Sequence, residues 1–238
     1  MDVVITIKGC KHRIHYTLEG KGEPLVLLHG WGQNMAMMKF IADHFKQRFQ
    51  VLNLDLPGFG ESEEPKCVWN LDDYTLCIHE CCKALQLSNP NLIAHSFGAR
   101  IALLYAHRYQ VQKLVLTGAA GIKKSKTLQY YIRIYTYKLL KKLHMAPDMG
   151  SEDYKTASEV MKGVLIESVE RDLRSLLPQI TNEALLVWGE KDEATPLWMG
   201  ETMEKMMPNA TLIVLDGDDH FAYFHQPQRF IAILEYFL

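Results

Sequence analysis

A succession of short apolar runs, spaced by helix-length segments, constrains this 238-residue chain more than any other feature. Residues 51–54 and 211–215 read as strands, and residues 25–28, 92–94, 113–116 and 184–188 lack the apolar–polar alternation of a half-solvated strand. Such runs read as strands buried on both faces. Between them, residues 35–46, 71–87 and 99–109 carry apolar side chains at helical spacing, and residues 221–237 close the chain as a further helix. Two alternating segments, 3–8 and 12–18, predict a hairpin at the start. Strands that alternate with helices require parallel crossovers, so the expected class is α/β with a doubly wound, mostly parallel sheet. Ligands of such sheets bind beyond the carboxyl ends of the strands.

The alternation breaks once. Residues 122–177 carry two or three helical stretches and no strand, which predicts a helical lid inserted after the sixth strand into a core of residues 1–121 and 178–238. The first half of this segment holds Lys123, Lys124, Lys126, Arg133, Lys138, Lys141 and Lys142, with no acidic residue before Asp148. Leu128, Ile132, Tyr135, Leu139 and Leu143 recur beside them at helical spacing. An amphipathic helix with its lysines in water is the plain reading; attraction of acidic substrates is the sharper one.

Charge excludes one class of partner. Lys plus Arg total 26 against 28 Asp plus Glu, which gives no electrostatic basis for nucleic-acid binding. The first seven residues alternate like a strand and lack a basic, then apolar, leader pattern. No apolar run approaches the roughly 18 residues needed to span a bilayer. The expectation is a cytoplasmic protein without membrane insertion. Among five cysteines, Cys77 and Cys81 share a helix face, but no second His or Cys pair lies at ligand spacing. They are read as reduced thiols, with no metal.

Chemistry concentrates at Ala94-His95-Ser96-Phe97-Gly98. A serine between a strand and a helix, with small residues two positions to either side, has the form of a nucleophile elbow. The pattern departs from G-x-S-x-G by a methyl group at Ala94. A serine needs a base and an orienting group. Asp192 follows the 184–188 strand and His220 follows the 211–215 strand, so both fall at the edge that carries Ser96. Glu190 and Glu193 compete with Asp192, and His225 competes with His220, while Asp218 and Asp219 read as helix caps. The oxyanion donors expected are the backbone N–H groups of Phe97 and of Trp31 in the glycine-rich loop His29-Gly30-Trp31-Gly32.

Together these stretches, with Asp55-Leu56-Pro57-Gly58-Phe59-Gly60-Glu61-Ser62 and Gly189-Glu190-Lys191-Asp192, resemble the α/β-hydrolase superfamily, in its carboxylesterase-like serine-hydrolase branch with a helical lid. The resemblance implies an eight-stranded, mostly parallel sheet with helices on both faces. It also implies two-step acyl transfer by Ser96, His220 and Asp192 onto water, with a small-molecule ester as substrate and no cofactor. His29, Gly30, His95, Tyr131, Tyr135 and Phe221 are expected around the substrate, and Tyr130 and Tyr137 extend the aromatic set. Ser96 sets the chain apart from relatives with an aspartate elbow. Carbon–carbon bond hydrolases of the meta-cleavage type and receptor-like, non-catalytic members of the fold remain as alternatives.

Overall fold

The computed structural model of the chain describes residues 1–123 and 152–238. Eight strands form one sheet: β1 (Asp2–Ile7), β2 (Cys10–Glu19), β3 (Glu23–Leu28), β4 (Phe49–Leu54), β5 (Asn91–His95), β6 (Lys113–Thr117), β7 (Glu183–Gly189) and β8 (Ala210–Leu215). Their spatial order is β1-β2-β4-β3-β5-β6-β7-β8. β2 pairs antiparallel with β1 and β4, and all the remaining pairs are parallel. From β3 the chain moves outward to β4 and then back to β5 on the other side, so β3 and β5 flank the switch point where loops diverge.

Alternate residues of the central strands feed two cores, because successive side chains point to opposite faces. Val26, Leu28, Leu92, Ala94, Leu114 and Leu116 pack with α2 (Leu71–Ala84) and α3 (Phe97–Arg108). Leu25, Leu27, Ile93 and Val115 pack with α1 (Lys39–Phe45) and the closing helix Pro227–Phe237. Burial on both faces is why these strands read as unbroken apolar runs. Cys77, Cys81 and Cys82 lie in the first core as free thiols.

Element boundaries differ from the periodicity in two informative places. Residues 35–46 are a 3-10 turn, Met35–Met38, followed by α1 rather than one helix. The closing helix is split into Ala222–His225 and Pro227–Phe237, with Gln226 at φ −116°, ψ 57° between them. A residue before proline is pushed out of the helical region, so Pro227 starts a new helix.

Between β6 and β7 the described residues form helices Glu152–Thr156 and Glu159–Glu170 and a 3-10 turn, Arg174–Gln179. The second helix docks firmly on the core. Met161 packs at Gly58, where a Cβ would lie 2.5 Å from its sulfur. Arg100 of α3 donates to the carbonyls of Ser168 and Arg171 at 2.7 and 3.1 Å, satisfying groups at the helix C-terminus. Burial lowers the Arg100 guanidinium to about 10. Asp72 of α2 pairs with both Arg108 and Arg171. Lys123 pairs with Glu170, while the other lysines of the basic stretch lie outside the described residues. No helix among the described residues is long and apolar enough to cross a membrane.

Candidate active site

Ser96 sits between β5 and α3 with φ 50° and ψ −106°, a conformation strained for a residue bearing a Cβ. Three backbone hydrogen bonds hold it there: its N–H donates to Thr117 O at 3.1 Å, and its carbonyl accepts from Ala99 and Ala120 at 3.2 and 3.3 Å. The small neighbours have a steric cause. A Cβ on Gly98 would lie 2.5 Å from the Leu28 carbonyl oxygen and 2.6 Å from that of His29. Ala94 is buried, in register with Leu28 on one side and Leu116 on the other. The elbow is therefore wedged against the end of β3.

His220 and Asp192 reach the same edge. His220 Nε2 lies 3.0 Å from Ser96 Oγ, and Nδ1 lies 2.7 Å from Asp192 Oδ2. An ionised carboxylate only accepts, so the neutral ring carries its proton on Nδ1 and turns the Nε2 lone pair toward the serine. Asp192 is 4% exposed. Burial raises its carboxyl, but the hydrogen bond and charge of His220 and the donors of Thr195 outweigh it and hold the group below the ordinary carboxylate range. The rival acids stand elsewhere. Glu190 is exposed and accepts from the Gly217 N–H at 2.8 Å, and Glu193 is exposed. His225 is exposed and tied to Asp218 at 2.8 Å. Asp219 accepts from the Phe221 N–H at 2.8 Å, a turn bond just ahead of the helix, whose N-cap is Phe221 with no side-chain cap, so neither Asp218 nor Asp219 caps it as expected.

Two further histidines lie beneath the site, and both are 0% exposed. The Leu56 N–H donates to His29 Nε2 at 2.9 Å, so His29 Nδ1 bears the proton and donates to Gly30 O at 2.7 Å. Burial lowers His29 to about 4. Both of its nitrogens are taken by backbone, which makes it a staple between the β3 and β4 loops, not the substrate-facing group expected. His95 donates from Nδ1 to Thr117 O at 3.0 Å. Burial and the neighbouring His220 push His95 well below the ordinary imidazole range. Its ring centroid is 4.6 Å from that of His220, so it forms a neutral floor under the base. Gly30 is the residue that admits it: a Cβ there would lie 2.9 Å from His95 Cδ2.

Of the two expected oxyanion donors, Phe97 follows Ser96 directly in the chain. The Phe97 N–H opens α3 and is one of the amides with no acceptor inside its helix. Trp31 follows Gly30 in the loop beyond β3, and its indole packs edge-on against Phe97 and Phe59, at 5.2 and 5.0 Å between centroids. Phe221 stands 5.4 Å from His220 between ring centroids. Tyr131 and Tyr135 lie outside the described residues.

Two structural roles escape the sequence. Asp55 is buried and accepts from the Met35 and Glu61 N–H groups at 2.7 and 2.8 Å, fastening the loops after β3 and β4. Thr195 bonds Asp192 through both its amide and its hydroxyl, each at 2.8 Å. Its place three residues after Asp192, the spacing of a side chain that closes its own loop, was the available signal.

Sheet order, switch point and strained serine together define a hydrolase of the α/β fold. Comparison with known proteins agrees: residues 23–133 match the family described as alpha/beta hydrolase fold, and residues 166–238 match a second family, described as TAP-like protein. The chain belongs to the α/β-hydrolase superfamily. It is 29% identical to a 2-hydroxy-6-oxononadienedioate/2-hydroxy-6-oxononatrienedioate hydrolase of Burkholderia vietnamiensis, over 97% of this chain and 92% of that one. It is 26% identical to a pimeloyl-[acyl-carrier protein] methyl ester esterase of Nitrosomonas europaea, over 93% of this chain and 98% of that one. An esterase from Exiguobacterium antarcticum shares the fold with a TM-score of 0.79, at 23% identity, over 100% of this chain and 99% of that one.

Proposed function

We propose that this protein is a serine hydrolase of small to medium carboxylic esters, with Ser96, His220 and Asp192 as its catalytic triad. The observation that carries the reading is the unbroken hydrogen-bonded chain from Ser96 Oγ through His220 to Asp192, at 3.0 and 2.7 Å. Ser96 Oγ attacks the ester carbonyl carbon as His220 Nε2 takes its proton, and Asp192 stabilises the imidazolium so formed. The N–H groups of Trp31 and Phe97 receive the oxyanion. His220 returns the proton to the departing alkoxide, then activates the water that releases the acid and frees the serine. The half-buried aromatic rings of Trp31 and Phe59, beside these donors, favour an apolar acyl group. Residues 122–177, inserted after the sixth strand, are read as the lid of this core.

A second reading, carbon–carbon bond hydrolysis of the meta-cleavage type, draws support from the relative in Burkholderia vietnamiensis. Hydrolysis of p-nitrophenyl esters from acetate to decanoate, run beside Ser96→Ala, tests the first. Turnover by the wild type that vanishes in the variant is the expected result. Equal rates in the two proteins would remove Ser96 as nucleophile. A folded wild type without ester turnover that cleaves a 2-hydroxy-6-oxo-dienoate would install the second reading.

A further inference from the structure

We propose that Thr195 is a positioning residue of the acid–base pair, its hydroxyl tempering the charge of Asp192 and so setting the basicity of His220. The inference rests on the reading of Ser96, His220 and Asp192 as the catalytic set.

Thr195 is 6% exposed, and every polar atom it has is engaged at this one spot. Its N–H donates to Asp192 Oδ1 at 2.8 Å, and its carbonyl accepts from Trp188 Nε1 at 2.6 Å. Those two bonds fix the backbone and therefore the hydroxyl. Oγ1 then stands 2.8 Å from Asp192 Oδ2, 3.0 Å from Gly118 O and 3.2 Å from His220 Nδ1. A hydroxyl has one proton, and of the two acceptors the carboxylate is both nearer and charged, so the proton goes to Asp192. Oδ2 thus receives two donors, Thr195 Oγ1 and His220 Nδ1, while Oδ1 receives the Thr195 amide. The lone pairs of Oγ1 remain turned toward the Nδ1 proton.

The consequence is electrostatic. Each donor on a carboxylate disperses its charge and weakens its hold on the imidazolium. The bonds from Thr195 accordingly contribute to the lowered state of the Asp192 carboxyl. A hydroxyl that grips the acid keeps it in place for His220 and limits how basic the ring becomes.

Other ionisable groups near the pair are accounted for among the described residues. His95, 4.6 Å from His220 between centroids, is buried and neutral. On the loop of His220, Asp218 is bound to His225 and Gln226, and Asp219 to the Phe221 N–H. On the loop of Asp192, Glu190 is bound to the Gly217 N–H, while Lys191 and Glu193 are exposed. From β5 and β6 the pair meets the Ser96 hydroxyl and the backbone of Gly118. Thr195 is the uncharged group through which the acid is tuned.

The test is a proton NMR titration of His220 in resting protein, assigned with His220→Gln, for wild type, Thr195→Val and Thr195→Ser. Thr195→Ala is run as well, should the valine methyl crowd Asp192. The expected result is a His220 titration shifted upward by roughly half to one pH unit in the valine and alanine variants and restored in the serine variant. The acid limb of kcat/KM moves with it, and kcat falls about tenfold at constant KM. An unshifted titration in a folded valine or alanine variant overturns the proposal. A shift reproduced in full by the serine variant also overturns it, since packing of the methyl would then be the cause. The titration needs no turnover, so it stands apart from the Ser96→Ala comparison, which alone decides the serine-hydrolase reading.

Discussion

Two sets of loops meet at the carboxyl edge of the sheet, and in sequence they look alike. The loops after β3 and β4 carry His29, Asp55 and several glycines; those after β5, β7 and β8 carry Ser96, Asp192, His220 and more glycines. Their bonding is opposite in kind. His29 and Asp55 end on backbone, binding Gly30 O and the N–H groups of Leu56, Met35 and Glu61. Ser96, His220 and Asp192 bond one another through their side chains, and Thr195 alone adds a backbone donor, to the far oxygen of the acid. Polar groups that terminate on backbone fix the course of the chain. Polar groups that terminate on side chains remain able to pass a proton along.

Perturbing each set in turn sharpens that contrast. Ser96→Ala is expected to lower kcat by about 10³-fold or more, with an unchanged melting temperature, because it removes the proposed attacking group and no packing. A fall in both quantities would mean the serine is also a structural tie. Asp55→Ala should do the reverse. It leaves two partly buried amides without their acceptor, costing about 2 kcal/mol in urea unfolding, while kcat at low temperature stays within several-fold. Loss of turnover in the fully folded variant would break the division of labour.

Acid probes the structural set without mutation. The unfolded chain protonates His29 near its ordinary value of 6.5, whereas the folded chain resists until about 4. Protons therefore favour unfolding, and stability falls as pH drops through that window, by about 2 kcal/mol between pH 7 and pH 5 from His29 alone. His95, held low in the same way, adds to the slope. Urea titrations at the two pH values check this, and a His29→Gln variant should show the shallower dependence. The smallest effect is expected at Gly118, whose φ is +47°. A Cβ there would lie 3.0 Å from His220 Nδ1 and 3.2 Å from Asp192 Oδ2. Gly118→Ala should reduce kcat about tenfold through displacement of the ring, seen as a shifted His220 resonance.

The legible parts of the molecule are those whose cause is local. The elbow could be read because its steric demand falls on Ala94 and Gly98, two residues away from Ser96. Doubly buried strands announce themselves as apolar runs, and the Asp219 carboxylate closes its own turn two residues along. What stayed hidden depends on distant chain. His29 was expected at the substrate because its partner, the Leu56 amide, is 27 residues away. His95 was expected there too, and its acceptor, Thr117 O, is 22 residues on. Asp192 was already preferred to Glu190 and Glu193 in the sequence, and the fold adds that it is the carboxylate enclosed while those two are exposed. The break before Pro227 was readable from proline chemistry but was overridden by the apolar period.

The moorings of the connection between β6 and β7 bear on how such proteins diversify. Leu173 bonds Gly121 at 2.8 Å, Arg100 takes two carbonyls after Val164, and Asp72 clasps Arg171, so both feet of the connection stand on the core. Closing a chain between fixed feet grows costlier only slowly, by about 0.6 kcal/mol for each doubling of length. A change of chain length between the two feet therefore costs the fold little. Natural variation or laboratory grafting between these feet is expected to leave the hydrogen-bonded chain of Ser96, His220 and Asp192 as it stands.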